Sequence, residues 1–101
     1  MRIIKRKVLE VFSQTHPKAR GPLEHWFQLA RSGEWRSPGD VKRVFGSSVD
    51  FVGNNRAIFD IKGNDFRLIS EINYRTQVVF IRFVGTHAEY DKVDAATIKI
   101  W

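Results

Sequence analysis

His87 and Tyr90 lie three residues apart just beyond the last strand-like run of the chain, and together they offer an imidazole and a phenol. An imidazole exchanges protons near neutral pH, so His87 suits acid–base chemistry, although a surface loop histidine needs no such role. Spacing alone does not choose between the two. Tyr90 could stack on a planar ligand or move a proton, and it could equally be a half-buried ring closing the edge of a sheet. Arg67 follows Phe66 in a run where Phe66, Leu68 and Ile72 share one strand face and Arg67 and Ile69 the other. Its planar fork would suit bidentate binding of a phosphate, and an exposed strand arginine is the plain alternative. Lys62 ends the preceding run, across a short turn from Arg67, where it could join the same basic cluster. Arg56 and Arg82 are further candidates for polyanion contacts. Arg82 also shares parity with Phe80 and Val84, which reads as a partly buried, paired arginine.

Asp60, Asp65, Glu89, Asp91 and Asp94 invite a metal reading, most of all where His87, Glu89 and Asp91 fall close together. There is no His-x-x-x-His pair and no regular carboxylate loop, so no metal is expected. Cysteine is absent, which removes thiol nucleophiles, disulfides and Cys-containing zinc sites. His16 and His25 fall in a turn and on a helix face, with nothing to suggest ligation.

These groups need a scaffold, and the patterning supplies one. Arg2-Ile3-Ile4 is a short strand candidate, and Lys5 to Gln14 places Val8, Val11 and Phe12 at helical spacing. Pro17 stops that helix and opens the next, whose apolar stripe is Leu23, Trp26, Phe27 and Ala30. Ser37-Pro38-Gly39-Asp40 resembles a capping box ahead of a short helix carrying Val41, Val44 and Phe45. Beyond Gly46 the runs Ser48–Val52, Arg56–Ile61, Phe66–Tyr74 and Val78–Gly85 read as strands separated by hairpin-length turns. Asp94–Trp101 is ambiguous between strand and helical turn. The expected architecture is α+β, a single domain over residues 1–101 in which two N-terminal helices pack on an antiparallel β-sheet.

With 17 Lys+Arg against 11 Asp+Glu the chain carries a net charge of +6, and apolar residues make up 43%, enough for a core. Residues 1–50 hold ten of the cations and five of the anions, so the excess lies mainly in the first half. A basic face attracts polyphosphates through counterion release, and a solvated face needs no partner. No apolar run is long enough to span a membrane and the basic start is not followed by a signal-peptide stretch, so a cytoplasmic protein is expected.

Gly63-Asn64-Asp65-Phe66-Arg67-Leu68, followed by Ile81-Arg82-Phe83-Val84-Gly85-Thr86-His87-Ala88-Glu89-Tyr90-Asp91, resembles the HigB family of bacterial type II toxins. Trp35, the Val41–Phe45 segment and Asn55-Arg56 extend the likeness over nearly the whole chain. The resemblance implies a RelE/ParE-like fold and an mRNA endoribonuclease that acts on the translating ribosome without a cofactor or metal ion. It implies a HigA-type antitoxin with a helix-turn-helix domain as partner, mRNA and the ribosome as targets, no membrane, and DNA only indirectly through the antitoxin. Carried onto these residues, it makes His87, Tyr90, Arg67 and Lys62 catalytic and offers Arg56 and Arg82 for RNA binding. The rival expectations are a noncatalytic relative that binds a protein, as gyrase-poisoning ParE toxins do, and a plain RNA- or antitoxin-binding module.

Overall fold

In the computed structural model, which describes residues 1–99, the elements run β1 (Arg2–Ile4), α1 (Lys7–Thr15), α2 (Arg20–Ser32), α3 (Pro38–Phe45), β2 (Val49–Val52), β3 (Arg56–Ile61), β4 (Phe66–Asn73), β5 (Val78–Thr86) and α4 (His87–Tyr90). Pro17–Ala19 and Gly46–Ser48 form single 3₁₀ turns, the first leading directly into α2.

The sheet has five strands in the order β1-β5-β4-β3-β2. β2 to β5 form the expected antiparallel meander, and β1 adds a parallel strand beside β5, pairing Arg2 with Val78 and Ile4 with Phe80. The sheet is therefore mixed rather than wholly antiparallel. A parallel pair needs a long crossover, and the three main helices together with β2 to β4 supply it.

One sheet face lies under the helices. α2 buries Leu23, Trp26, Phe27 and Ala30, as the stripe predicts, against Phe59, Ile61, Leu68, Val79 and Ile81. α1 differs from expectation: Leu9 is buried at 5% exposure while Val11 stands 53% exposed, because the helix turns its Val8, Leu9 and Phe12 side to the core. The N-terminus of α3 also differs. Ser37 makes no side-chain cap, and the Asp40 carboxylate instead accepts from the Arg36 backbone N–H at 2.8 Å and from Arg43.

The opposite face carries a smaller apolar cluster of Ile58, Ile69 and Phe83, onto which Tyr90, Val93, Ala95 and Ile98 pack. The chain after α4 thus covers the outer face of the sheet. Residues 94–98 do so through turns, with the Thr97 and Ile98 N–H groups both donating to the Asp94 carbonyl. The strand-like alternation read over 97–101 ends in residues 100–101, which lie outside the described ones. Among the described residues, no helix is long and apolar enough to cross a membrane.

Candidate active site

Two structural devices bring the candidate residues to one end of the sheet. The first is the turn between β3 and β4, where Lys62 and Gly63 take φ of +51° and +61°. Gly63 accepts that conformation at no cost, whereas Lys62 is held in a region that side chains avoid. The tight reversal pairs Asp60 with Arg67 across the hairpin, and Arg67 in turn faces Gly85 on β5. The second is α4, which follows β5 without a break. Thr86 caps it: its hydroxyl accepts from the Glu89 N–H at 3.2 Å, and the Glu89 carboxylate accepts from the Thr86 N–H at 2.8 Å. That reciprocal pair holds the Glu89 carboxyl below its ordinary value, through the Thr86 N–H first, with His16 and Lys92 adding smaller effects. The devices are joined by the His87 N–H, which donates to the Asp65 carbonyl at 3.1 Å.

Within this corner the geometry is specific. The Arg67 guanidinium lies 5.5 Å from the centre of the Tyr90 ring. The His87 ring meets Tyr90 edge-on, with centroids 6.4 Å apart. Arg67 Nε contacts Asp60 at 3.2 Å, and a second guanidinium nitrogen donates to the Asn64 side chain. Lys62 Nζ contacts Asp65 at 3.1 Å, and His87 Nδ1 is 3.2 Å from Asp91. Lys62, Arg67 and His87 therefore each have a carboxylate of their own. His87 keeps 41% of its side chain exposed, and Arg67 emerges on the face that Tyr90 covers.

Gly85 makes room for this arrangement. A Cβ there would stand 2.5 Å from the Phe83 ring and 3.2 Å from the Glu89 carboxylate, so any larger residue collides with the supports of α4.

The six site residues expected from sequence thus divide into two groups. Lys62, Arg67, His87 and Tyr90 gather at one corner, while Arg56 and Arg82 meet elsewhere, around Glu71. Arg56 is 3% exposed, donates to the carbonyls of Ile98 at 2.7 Å and Ala95 at 3.5 Å, and lies 3.6 Å from Glu71. Desolvation lowers its pKa, and nearby Glu71 opposes the shift. A guanidinium buried in that way clamps the C-terminal segment, where the sequence reading offers it as an RNA contact. Arg82 contacts Glu71 at 2.9 Å and lies over Phe80 at 5.0 Å. The register slips between Ile69 and Ser70, where Phe83 pairs with the first and Ile81 with the second, leaving Arg82 off the ladder. It therefore shares its environment with Phe80 but not with Val84, which packs on the helix side.

Asn64, Gly85 and Thr86 have no site role in the sequence reading, and Asp60, Asp91 and Glu89 enter it only as candidate metal ligands. The Thr-x-x-Glu spacing at 86–89 was the one readable signal among them, since it is the pattern of a capping box. His16, set aside as a turn residue, stacks on Phe12 at 4.1 Å and meets the edge of Phe66 at 5.9 Å, close to this corner. Among the described residues, no three His, Asp or Glu side chains converge as a metal-binding group.

Comparison with known proteins agrees with the likeness drawn from the motifs. The chain is 26% identical over 94 residues to the mRNA interferase HigB of Escherichia coli O6:H1, an alignment covering 92% of this chain and 91% of that protein. It is 28% identical over 92 residues to the mRNA interferase toxin HigB of Escherichia coli K12 and to the mRNA interferase HigB of Shigella flexneri, covering 90% of this chain and 88% of each. Residues 19–93 match the profile described as HigB_toxin, RelE-like toxic component of a toxin-antitoxin system. That span holds α2, the meander and α4, and the chain belongs to the HigB toxin family.

Proposed function

We propose that this chain is an mRNA endoribonuclease that cuts message on the translating ribosome without a metal ion, and that a HigA-type helix-turn-helix antitoxin silences it. The observation that carries the reading is the convergence of Arg67, His87 and Tyr90 at one end of the sheet, supported by the mRNA interferase relatives.

Cleavage of RNA by its own 2′-hydroxyl needs three things. The hydroxyl must lose a proton, the five-coordinate phosphorus must be stabilised, and the leaving 5′-oxygen must gain a proton. An ionised carboxylate only accepts hydrogen bonds, so Asp91 selects the tautomer of His87 with its proton on Nδ1. Nε2 is then the free base, and we assign it to the 2′-hydroxyl proton. Arg67 supplies a planar pair of donors for the phosphorane, and the substrate phosphate takes the place of Asp60 beside it. Lys62 contributes a second cation from the turn. Tyr90, bracketed by Arg67 and His87, stacks on a base or protonates the leaving oxygen. The 2′-oxygen–phosphorus bond forms as the phosphorus–5′-oxygen bond breaks, leaving a cyclic phosphate and a free 5′-hydroxyl.

The test is to express the wild type beside His87→Ala, Tyr90→Ala and Arg67→Ala and to map mRNA 5′ ends. Cleavage inside reading frames that disappears in the variants supports the reading. Growth arrest with intact message overturns it in favour of a toxin that acts by binding.

A further inference from the structure

The candidate active corner has no net positive charge with which to attract a polyanion. Lys62 and Arg67, its two permanent cations, stand against Asp60, Asp65 and Asp91. The chain nevertheless carries a net charge of +6, so its electrostatic attraction must come from elsewhere on the surface.

The backbone shows where four of those cations lie. Met1 donates from its amino group to the carbonyls of Arg31 and Gly33, which places the end of α2 beside the start of β1. The Arg2 N–H donates to the Gln77 carbonyl, and the Gln77 side chain donates to the Trp35 carbonyl. These bonds gather the start of β1, the end of α2, the loop before α3 and the β4–β5 turn at one pole of the molecule. Arg2, Arg31, Arg36 and Arg75 belong to those four segments, and all four are exposed. None has an ion-pair partner among the described residues; the nearby acidic residues are Glu34 in the same loop and Asp40, whose carboxylate accepts from the Arg36 N–H and from Arg43. The pole is opposite the Lys62–Asp65 turn: β4 runs from Arg67 to Asn73 between the two, a span of about 20 Å at ~3.3 Å per residue.

We propose that this arginine pole is a second RNA-contacting surface, which holds the phosphate backbone of a folded RNA while the opposite corner acts on the scissile strand. The proposal rests on the nuclease reading for its RNA target. Arginine forks match paired phosphate oxygens, and guanidinium groups with no internal carboxylate can bind phosphate without first losing a partner. An acidic protein segment would satisfy the same forks, since carboxylates also pair with them bidentately, so the charge of the catalytic corner decides the occupant. A catalytic corner without net positive charge leaves RNA affinity to such a surface, and that favours RNA as the occupant.

The experiment compares two charge-matched variants in a His87→Ala background that leaves RNA uncut. One is Arg31→Gln with Arg36→Gln and Arg75→Gln. The other is Lys7→Gln with Lys18→Gln and Arg20→Gln, away from the pole. Binding to purified ribosomes and to a hairpin RNA is measured across a salt series, with thermal unfolding as the check on folding. The pole variant should bind at least tenfold more weakly, with a logarithmic salt slope shallower by roughly 2 for three lost contacts. Equal losses in both variants, no loss in either, or loss of antitoxin binding with RNA binding intact would each overturn the proposal. Absence of mRNA cleavage by the wild type would sink the nuclease reading and leave this binding result to stand or fall alone.

Discussion

His87 Nδ1 and Asp91 Oδ2 lie 3.2 Å apart at the two ends of a single helical turn, so the imidazole is held by the element that carries it. The pair stays partly exposed, which makes the carboxylate an orienting group for a ring that faces solvent. Asp91→Asn keeps the shape but can present an amide N–H to Nδ1, which would favour the opposite tautomer. We expect about a tenfold or greater fall in kcat with KM little changed, whereas His87→Ala should cost about 10² to 10⁴. Single-turnover cleavage on ribosome-bound message measures both. An Asp91→Asn enzyme with wild-type kcat would remove the carboxylate from the mechanism.

Arg67 is held by Asp60 and Asn64, two acceptors set by the hairpin. Arg67→Lys keeps the charge but loses the fork, and it should lose most of the rate while folding normally. Asn64→Ala removes one acceptor and leaves the guanidinium free to swing. Its rate should fall less than that of Arg67→Lys, and its thermal midpoint should hardly move. Equal activity of Arg67→Lys and wild type would reduce Arg67 to a point charge.

The turn offers a separate test of Lys62. A side chain at φ +51° carries backbone strain, and asparagine tolerates that region better than lysine does. Lys62→Asn should therefore be at least as stable as wild type and less active, a combination that a merely structural lysine would not show. Urea unfolding beside cleavage assays reads the two quantities independently.

Much of this scaffold is legible in the residue pattern. The α2 stripe and the strand alternation bury the expected side chains because each depends on local periodicity. The Arg67 face was readable for the same reason. Arg56 was not: a guanidinium after a turn looks exposed until the C-terminal segment, some forty residues later, covers it. Arg82 is partly buried and paired, as its parity with Phe80 suggests, but one slipped residue pair changes the parity beyond it, so Val84 faces the other way. The partners Asp60, Asp65 and Asp91 looked like solvated turn carboxylates, and only the fold shows that each answers a particular cation.

The cap on α4 makes the site sensitive to acid. Glu89 has a folded pKa below its unfolded value, so its contribution is complete above the ordinary carboxylate range and is lost as pH falls through the depressed value. Protection factors at the Thr86 to Tyr90 amides, corrected for the intrinsic pH dependence of exchange, should therefore fall in that acidic window ahead of those of the core strands. Thr86→Ala removes the other half of the box and should cost about 1 kcal/mol, together with positional order in His87. Protection unchanged in Thr86→Ala would show that packing, not capping, holds the turn.

Gly85→Ala adds one methyl where the Phe83 ring is 2.5 Å away, and Phe83 lies in the small cluster beneath Tyr90. The ring must move, and overpacking of that kind costs about 1–3 kcal/mol. Because Tyr90 rests on the same cluster, activity should fall further than stability does. Phe83→Leu in the same chain frees space at the clash, so the double variant should regain stability over Gly85→Ala alone. A Gly85→Ala protein as stable and active as wild type would mean that the glycine does not set the spacing between β5 and α4.

Arg56 gives the sharpest contrast between a structural and an RNA-binding arginine. Its guanidinium joins Glu71 to the carbonyls of Ala95 and Ile98, so Arg56→Ala leaves those acceptors without their donor and frees the segment after α4. Glu71 still keeps Arg82, which limits the penalty to roughly 2 kcal/mol, below that of a fully buried orphan charge. Limited proteolysis should then cut near residues 94–98 well before the sheet opens, while the salt dependence of RNA binding stays that of the wild type. The opposite result, an intact C-terminal segment with a shallower salt slope, would return Arg56 to the RNA-contacting surface. The clamp reading makes a further demand, since the segment it holds lies over Ile58, Ile69 and Phe83 beside Tyr90. Releasing it should therefore lower the cleavage rate without any loss of RNA affinity.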